Sequence, residues 1–419
     1  MGCFRIDLTS PLELVFYGLS LLQVFRAVQL AGVIRRDWSG FRQPPLTLQK
    51  MHLVEQGAFL LAIPPSVIVH EYFHAIPIWL FGGRVVNCGY GFYWGFVQPD
   101  RIFPAGQEWL ISLGGTIGSL VFTAVLFLIL YRNQSQTLRY FARQSLKTLS
   151  YYTLIYYPIF SAITFIGDWR IIYDFGATPL LSGGTAVAHA ALLFLFWQAN
   201  RRGWFEMVGH KNQGEAAAFT QLAANWRLNP QNPAVALNYA DALRRGGAPQ
   251  QAKMVLAQMI AQNPNLAEAY FQLALIQSHG KRTFPKTAVA NLEKALQLGL
   301  ETARHQAIAH QFLSQYFLDT GNGQLAVQHL DDALTAVSKI NETSDSSLHK
   351  AQLLHKAQLL HKAQLLHMRS LAHQRQQQHE RARQDAEQAL ALAQAAGDEK
   401  AVSFYQRELE MLHGRNGRI

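Results

Sequence analysis

Long apolar runs separated by short polar stretches make up the first 200 or so residues of the chain, whereas the remainder mixes apolar and polar positions throughout. A helix needs about 20 largely apolar residues to cross the hydrocarbon layer of a membrane. The pattern predicts five membrane-crossing helices, placed at Leu12–Ile34, Ala58–Phe81, Trp109–Tyr131, Leu149–Tyr173 and Thr185–Trp197. The fifth is short unless residues 179–182 extend it.

The segment Arg84–Phe103, between the second and third spans, has a different pattern. It is rich in glycine and aromatic residues and has no helical stripe, which predicts a short hairpin or an interfacial loop. Two interpretations stay open at this point. The aromatic residues form a belt at the membrane surface, or the segment offers a strand edge that pairs with substrate.

From about Glu215 the pattern changes to paired amphipathic helices. Asn229-Pro230 and Asn263-Pro264 are 34 residues apart, and Ala240 and Ala252 lie twelve apart between them. Leu243, Leu256 and Met259 are expected to fill the interface of this hairpin. The spacing recurs, with insertions, at three further sets of residues: Ala274, Ala288, Leu292 and Ala295; Ser314, Ala326, Leu330 and Ala333; and, more weakly, Ala382, Ala386 and Ala389. This spacing resembles tetratricopeptide repeats, in which each hairpin buries its apolar face against the next. A generic helical bundle is the alternative.

These patterns predict an all-α fold with two domains. Residues 1–205 form a polytopic transmembrane helix bundle, and residues 206–419 form a soluble α-solenoid of helix hairpins.

Within the second domain, KAQLLH occurs three times in succession, from Lys350 to His367. Six residues is not a helical period, so the leucine pairs and the histidines drift around the helix. A metal-binding tract is one interpretation. A repeat expansion within a solvated helix is the favoured one, and no function is assigned to the segment.

The net charge of +10 adds little to this picture. The chain has no Lys/Arg-rich block interleaved with aromatic residues, so nucleic acid is not expected as a partner. Much of the positive charge follows apolar spans, where basic loops hold the orientation of a membrane protein. The two cysteines rule out a disulfide framework and a four-cysteine zinc site.

The candidate chemistry lies at His70-Glu71-Tyr72-Phe73-His74, an HExxH motif inside the second apolar span. Residues four apart lie on one face of a helix, so both imidazoles can reach one zinc ion. Glu71 is placed to take a proton from a zinc-bound water. Ionisable side chains in a membrane span are costly unless paired or ligated, which favours a function over a pair of histidines that only hydrogen-bond within the bundle.

Two histidines leave zinc one protein ligand short of a catalytic site. Asp168 is the favoured third ligand because, Glu71 apart, it is the carboxylate well inside an apolar run. His189 in the fifth span is the competitor, and Asp174 is expected at the interface. Arg170 could instead pair with Asp168, which is the structural alternative for that carboxylate.

The order of the spans supports this ligand set. The second and fourth spans run in the same direction, so the histidines and Asp168 fall in the same half of the bilayer, toward residues 84–103. Gly114, Gly115, Gly118 and Ser119 in the third span permit close helix approach, and we interpret them as packing residues.

An HExxH in one span, followed two spans later by an aspartate, resembles the site-2 protease family of intramembrane zinc metalloproteases, over about Ala58 to Tyr173. The resemblance implies that His70, His74 and Asp168 bind Zn²⁺, and that Glu71 is the catalytic base. It also implies cleavage of client transmembrane segments, often to release a regulator. The family aspartate usually lies in a Leu-Asp-Gly context with an upstream asparagine. Here Gly167-Asp168-Trp169 replaces that context and no asparagine lies close upstream.

The expected partners are a membrane-protein client, the lipid bilayer, and a peptide or protein bound by the repeats. Basic loops after spans one, three and five indicate that the repeat domain is cytosolic. The family resemblance, with five spans, implies the opposite side. We predict an integral, multi-pass membrane protein with cytosolic repeats.

Two functions from other classes compete with proteolysis. A catalytically inactive membrane scaffold would keep the fold and use its helical repeats for protein assembly. A metal transporter would require internal symmetry among the spans and further polar residues in them, and neither is found.

Overall fold

The computed structural model describes residues 11–340 and 348–416. The chain divides into two compact units. The first comprises Met1–Arg227 with Ala242–Ala252, and the second comprises Leu228–Asp241 with Lys253–Ile419. The predicted domain boundary between residues 205 and 206 stays a prediction.

The first unit is built from helices and one hairpin. Its elements are α1 (Pro11–Arg36), α2 (Trp38–Arg42), α3 (Leu48–Leu60), α4 (Ile63–Leu80), β1 (Val85–Tyr90), β2 (Gly95–Pro99), α5 (Ala105–Tyr131), α6 (Gln136–Tyr151), a π-helical turn (Tyr152–Tyr156), α7 (Tyr157–Thr164), α8 (Trp169–Ile172), α9 (Pro179–Arg201) and α10 (Gln213–Leu228). Helices α4 and α5 pack along each other.

Four helical segments of the described chain are long and apolar enough to cross a membrane: Tyr17–Arg36, Leu48–Leu80, Ala105–Tyr131 and Pro179–Arg201. They correspond to the first, second, third and fifth predicted spans, and α9 does include residues 179–182.

The predicted fourth span, Leu149–Tyr173, is not one helix. The helical path begins earlier, at Gln136, and ends at Thr164. Phe165 and Gly167 follow with positive φ values of 59° and 109°, a conformation that ends a helix and suits glycine. A Cβ at Gly167 would also lie 2.7 Å from the Ser161 hydroxyl oxygen. Asp168 therefore lies at a break between α7 and α8.

The segment between α4 and α5 forms a hairpin, which confirms the first of the two shapes predicted for it. β1 and β2 pair antiparallel, with Cys88 opposite Val97 and Tyr90 opposite Gly95. Two tyrosine hydroxyls bind the hairpin to the end of α3 and the start of α4. Tyr90 donates to the Pro64 carbonyl and Tyr93 to the Leu60 carbonyl, both at 3.0 Å.

The later part of the chain is helical, with α11 (Pro233–Arg245), α12 (Pro249–Gln262), α13 (Ala267–Ser278), α14 (Lys286–Leu298), α15 (Ala303–Asp319), α16 (Gly323–Ser338), α17 (Leu348–Arg375), α18 (His379–Ala395) and α19 (Glu399–Asn416). Within the second unit, α13 packs on α14, α15 on α16 and α17 on α18, while α14 contacts α15 and α16 contacts α17. Consecutive hairpins that bury their faces on their neighbours confirm a helical repeat.

The recurring positions predicted for the hairpins are all buried. Each residue from Ala240 to Ala389 in that set is between 0 and 3% exposed. The fourth hairpin, α17–α18, also has two small residues twelve positions apart, Ser370 and Ala382. Ser370 was not among the predicted positions. The Ser370 hydroxyl donates to the Ala382 carbonyl at 2.7 Å, so a serine takes the place of the small residue, as Ser314 does one hairpin earlier.

The KAQLLH copies lie in α17, and the description of their side chains begins at His355, so His349 lies outside the described side chains. Ala363 and Leu365 are fully buried and Leu366 is 3% exposed. The third copy is a packed segment and not a solvated one, because α16 and α18 both contact α17.

Candidate metal centre

The two histidines of the HExxH motif lie on one face of α4. Pro64 and Pro65 occupy the first turn of this helix. Proline is tolerated there because the N–H groups of the first turn make no hydrogen bond within the helix. The His70 and His74 rings meet edge to face, with 4.7 Å between their centroids. Both rings are largely enclosed, with side-chain exposures of 12% and 9%.

Asp168 reaches both rings from the break between α7 and α8. Its Oδ2 atom lies 3.1 Å from the His70 Nε2 and 3.2 Å from the His74 Nε2. The three residues predicted as metal ligands therefore converge, although 98 positions separate His70 from Asp168.

The far side of each ring is held by α5. His74 Nδ1 lies 2.7 Å from the Ile111 carbonyl oxygen. A carbonyl can only accept, so Nδ1 carries a proton, and Nε2 is the nitrogen left to bind an ion beside Asp168. His70 Nδ1 lies 3.1 Å from the Ser119 hydroxyl. Partners of this kind fix the tautomer and the orientation of metal-binding histidines.

Glycines in α5 make room for this arrangement. A Cβ at Gly115 would overlap the Nε2 atoms of both rings, and a Cβ at Gly118 would lie 2.6 Å from the Phe73 Cβ. A Cβ at Gly114 would lie 2.5 Å from the Phe73 carbonyl oxygen. Pro77, four residues after Phe73, has no N–H to bond that oxygen. The glycines and Ser119 thus shape the centre, in addition to the packing role predicted for them.

Tyr157 completes the environment of Asp168. Its hydroxyl donates to Asp168 Oδ2 at 2.9 Å and accepts from the Asp168 backbone N–H at 3.2 Å. Tyr157 was not among the residues predicted for this centre. Its place just before Pro158 in an apolar run was the available signal, because a polar tip inside such a run needs a partner.

Glu71 lies beside the histidines with one buried carboxylate oxygen, Oε2, that has no hydrogen-bond partner among the described residues. Strand β2 passes directly over this side chain: a Cβ at Gly95 would lie 2.7 Å from the Glu71 Cγ and 2.8 Å from its Oε1. A buried, unpaired acceptor beside converging ligand atoms suits a group that exchanges protons.

The residues considered as alternatives in assigning the third ligand all have other hydrogen-bond partners. His189 Nε2 lies 2.7 Å from the Leu154 carbonyl, and its Nδ1 meets the Tyr173 hydroxyl, so both nitrogens are engaged away from the HExxH rings. Arg170 donates to the Phe165 carbonyl at 2.6 Å. Asp174 is exposed and accepts the backbone N–H groups of residues 176 and 177.

The donor set fits a zinc ion. Zinc binds imidazole nitrogen and carboxylate oxygen at about 2.0–2.2 Å, which in a tetrahedral site separates neighbouring ligand atoms by about 3.3 Å. The ligand atoms of His70, His74 and Asp168 all lie within 4.8 Å of one another. Their role as metal ligands, and that of Glu71 as base, stay predictions.

No protein-family model matches the chain. No curated protein matches it either.

Among solved structures, the chain is similar to the MamA protein at 16% identity, with 44% of this chain and 86% of that chain covered and a TM-score of 0.31. It is similar to the MamA RS-1 ArsTM double mutant at 15% identity, with coverage of 44% and 98% and a TM-score of 0.30. It is also similar to YrrB, described as a TPR protein with an unusual peptide-binding site, at 15% identity, with coverage of 44% and 97% and a TM-score of 0.27. Scores at this level do not establish a shared fold.

Proposed function

We propose that this chain is an intramembrane zinc metalloprotease of the site-2 protease type, which hydrolyses peptide bonds in or near transmembrane segments of client proteins. The observation that carries the proposal is the convergence of His70, His74 and Asp168 next to Glu71, whose buried Oε2 has no hydrogen-bond partner among the described residues. Metal binding would offset the cost of placing histidine and carboxylate side chains among apolar helices, because each is costly in lipid.

In this proposal His70, His74 and Asp168 hold the zinc ion, which supplies Lewis-acid chemistry by polarising a carbonyl and acidifying water. Glu71 accepts the proton of the attacking water and passes it to the amine that leaves. Ser119 and the Ile111 carbonyl keep the rings in place.

The hairpin beside the centre suggests how a client segment is presented. β1 and β2 form a two-stranded sheet, so each strand has one unpaired edge within the described part of the chain. An extended client segment could add to such an edge through backbone hydrogen bonds. With Gly95 lying against Glu71, a scissile peptide held there would be close to the base.

The proposed setting is a multi-pass membrane protein whose helical repeats lie in the cytosol and recruit or gate clients. Four apolar helices support the membrane part. Arrays of helix hairpins form concave surfaces that bind peptides and proteins, which supports a peptide or protein partner for the repeats.

The decisive experiment compares the purified protein with its Glu71→Gln variant. A panel of single-span reporter peptides in liposomes, each with a glycine- and proline-loosened segment, serves as substrate because the client is unidentified. We expect cleavage to fall by a factor on the order of 10² to 10⁴, with zinc content near one ion per chain at this centre retained. His70→Ala should lose both. Equal cleavage by Glu71→Gln and the unsubstituted protein would refute the mechanism.

The second candidate is a catalytically inactive membrane scaffold that uses its repeats for assembly. The stacked hairpins of the second unit favour it. What the comparisons found is also closer to this function than to proteolysis, since a TPR protein is among the structures named and no protease is. A scaffold would hold zinc without turnover of any reporter, or hold none at this centre, while still capturing a repeat-binding partner.

A further inference from the structure

A second set of metal-binding side chains converges in the described part of the chain, far along the sequence from the HExxH motif. It comprises His310 on α15 with His329 and Asp332 on α16, and their ligand atoms all lie within 4.8 Å of one another. All three residues belong to the second compact unit, and the proposed proteolysis makes no use of them.

The distances within this set match the spacing of ligands around one ion. The Nδ1 atoms of His310 and His329 are 3.0 Å apart, and His310 Nδ1 is 3.7 Å from Asp332 Oδ2. Around a tetrahedral zinc ion, neighbouring ligand atoms lie about 3.3 Å apart. A hydrogen bond between the two rings would explain the first distance, whereas one bound ion would bring all three donor atoms together.

The side chains are held in this arrangement by the hairpin. His329 and Asp332 are three positions apart, so they lie on the same face of α16. The His329 ring stacks on Phe317 of α15, with an interplanar angle of 5°. The α15–α16 interface is packed by Leu318 and Leu330, which are both buried. Little reorganisation would be needed for the three donors to bind together.

Solvent can reach the set from one side. The His310 side chain is 18% exposed, whereas that of Asp332 is 52% exposed. Partly buried imidazoles with an accessible carboxylate allow an ion to enter and leave room for water as a fourth ligand.

We propose that His310, His329 and Asp332 form a second metal site, which takes a divalent transition-metal ion of the zinc class and ties the two helices of this repeat hairpin together. Two imidazoles and one carboxylate suit zinc and its neighbours better than magnesium or calcium, which prefer oxygen ligands. An ion bound only to the folded hairpin stabilises it, so the rigidity of the repeat surface depends on metal.

The test measures zinc bound to the untagged, full-length protein in detergent after dialysis against buffered zinc. We expect His329→Gln and Asp332→Asn each to bind one zinc ion fewer per chain than the unsubstituted protein. Asp332 is exposed, so its variant should fold normally. His305→Gln is the matched control: His305 lies on the same helix and pairs with one carboxylate, Glu268, at 2.6 Å, so zinc binding should not change.

The His70→Ala variant distinguishes the two sites. It should lose the zinc ion of the HExxH centre and keep the ion bound by the second site. Cobalt(II) gives a second readout, because a tetrahedral site produces a visible absorption band that the His329→Gln difference spectrum would isolate. Unchanged zinc content and an unchanged cobalt spectrum in both His329→Gln and Asp332→Asn would overturn the proposal and leave two histidines that only share a proton.

Discussion

At the scale of single residues, the candidate centre depends on what lies behind each ligand. The Ile111 carbonyl assigns the His74 proton to Nδ1, and Ser119 and Tyr157 hold His70 and Asp168 in the same way. These partners come from two helices, α5 and α7. Their arrangement turns the two Nε2 atoms and the Asp168 Oδ2 atom toward a common point.

Gly115 is the residue at which this arrangement is most sensitive to added volume. In Gly115→Ala the new methyl group would overlap both Nε2 atoms, so we expect zinc at the HExxH centre to be lost. Gly183→Ala on α9 is the control, since a Cβ there has nothing within 4 Å. Metal analysis of the two purified variants checks this. Zinc retained in full by Gly115→Ala would mean that the ion does not lie between these rings.

Tyr157 is expected to act on the metal through Asp168. Tyr157→Phe removes the hydroxyl that donates to Asp168 Oδ2, and loss of such a partner typically weakens metal binding about 10- to 100-fold. Competition with a chelator of known affinity measures the change. Tyr156→Phe, which alters an exposed neighbour, should bind zinc as tightly as the unsubstituted protein does. If Tyr157→Phe bound zinc as tightly as the unsubstituted protein does, the role of Tyr157 would be limited to packing.

At the scale of elements, the π-helical turn between α6 and α7 contains a carbonyl, that of Leu154, which depends on another helix for its hydrogen bond. Pro158 has no N–H to donate to the carbonyl of Leu154, four residues earlier. His189 of α9 supplies the missing donor, because its Nε2 lies 2.7 Å from that oxygen. The carbonyl that Pro158 leaves without a helical donor therefore has a partner in the buried His189.

This pairing gives a test that separates His189 from Asp168 as third ligand. His189→Leu should keep zinc at the HExxH centre, since both ring nitrogens already have partners elsewhere. It should lower stability by about 1–3 kcal/mol, because the Leu154 carbonyl is left unpaired. Thermal unfolding and zinc content are measured together. Adding Pro158→Ala, which restores an N–H to the helix, should recover part of the loss.

If His189→Leu lost zinc without any loss of stability, His189 would be the third ligand in place of Asp168.

The predicted fourth span, which contains Pro158, is also the element for which the sequence-based prediction was wrong. A single span over residues 149–173 was predicted from its apolar character, whereas the helix ends at Thr164 and the chain turns at Phe165 and Gly167. That division is what brings Asp168 to the ends of the imidazoles.

At the scale of the whole molecule, the chain joins a set of apolar helices to a series of helix hairpins. The first bears the HExxH centre and the second bears the set of His310, His329 and Asp332. Chemistry in one part and recognition in the other is the division that the proposed function requires.

The side of the membrane on which the repeats lie can be tested directly. Gln297 is an exposed residue of α14, and Gln297→Cys places a thiol on the repeats. A membrane-impermeant maleimide should label it only after the cells are permeabilised, if the basic loops set a cytosolic orientation. The unsubstituted chain corrects for native cysteines. Labelling in intact cells would instead support the orientation implied by the family resemblance.

Features that depend on spacing along one helix could be predicted from the sequence. His70 and His74 share a face because they are four apart, and the buried positions of the hairpins follow from small residues at fixed offsets. Helix geometry alone imposes both. The apolar spans were found for a similar reason, since a membrane-crossing length is a local property.

Only the tertiary structure decided which distant groups meet. Asp168 reaches the rings because the chain breaks at Gly167, and Gly115, Ser119 and Tyr157 line the centre because α4, α5 and α7 approach closely at those points. Such contacts join residues as far as 98 positions apart. They depend on how helices pack against one another, and the order of residues along one helix does not determine that.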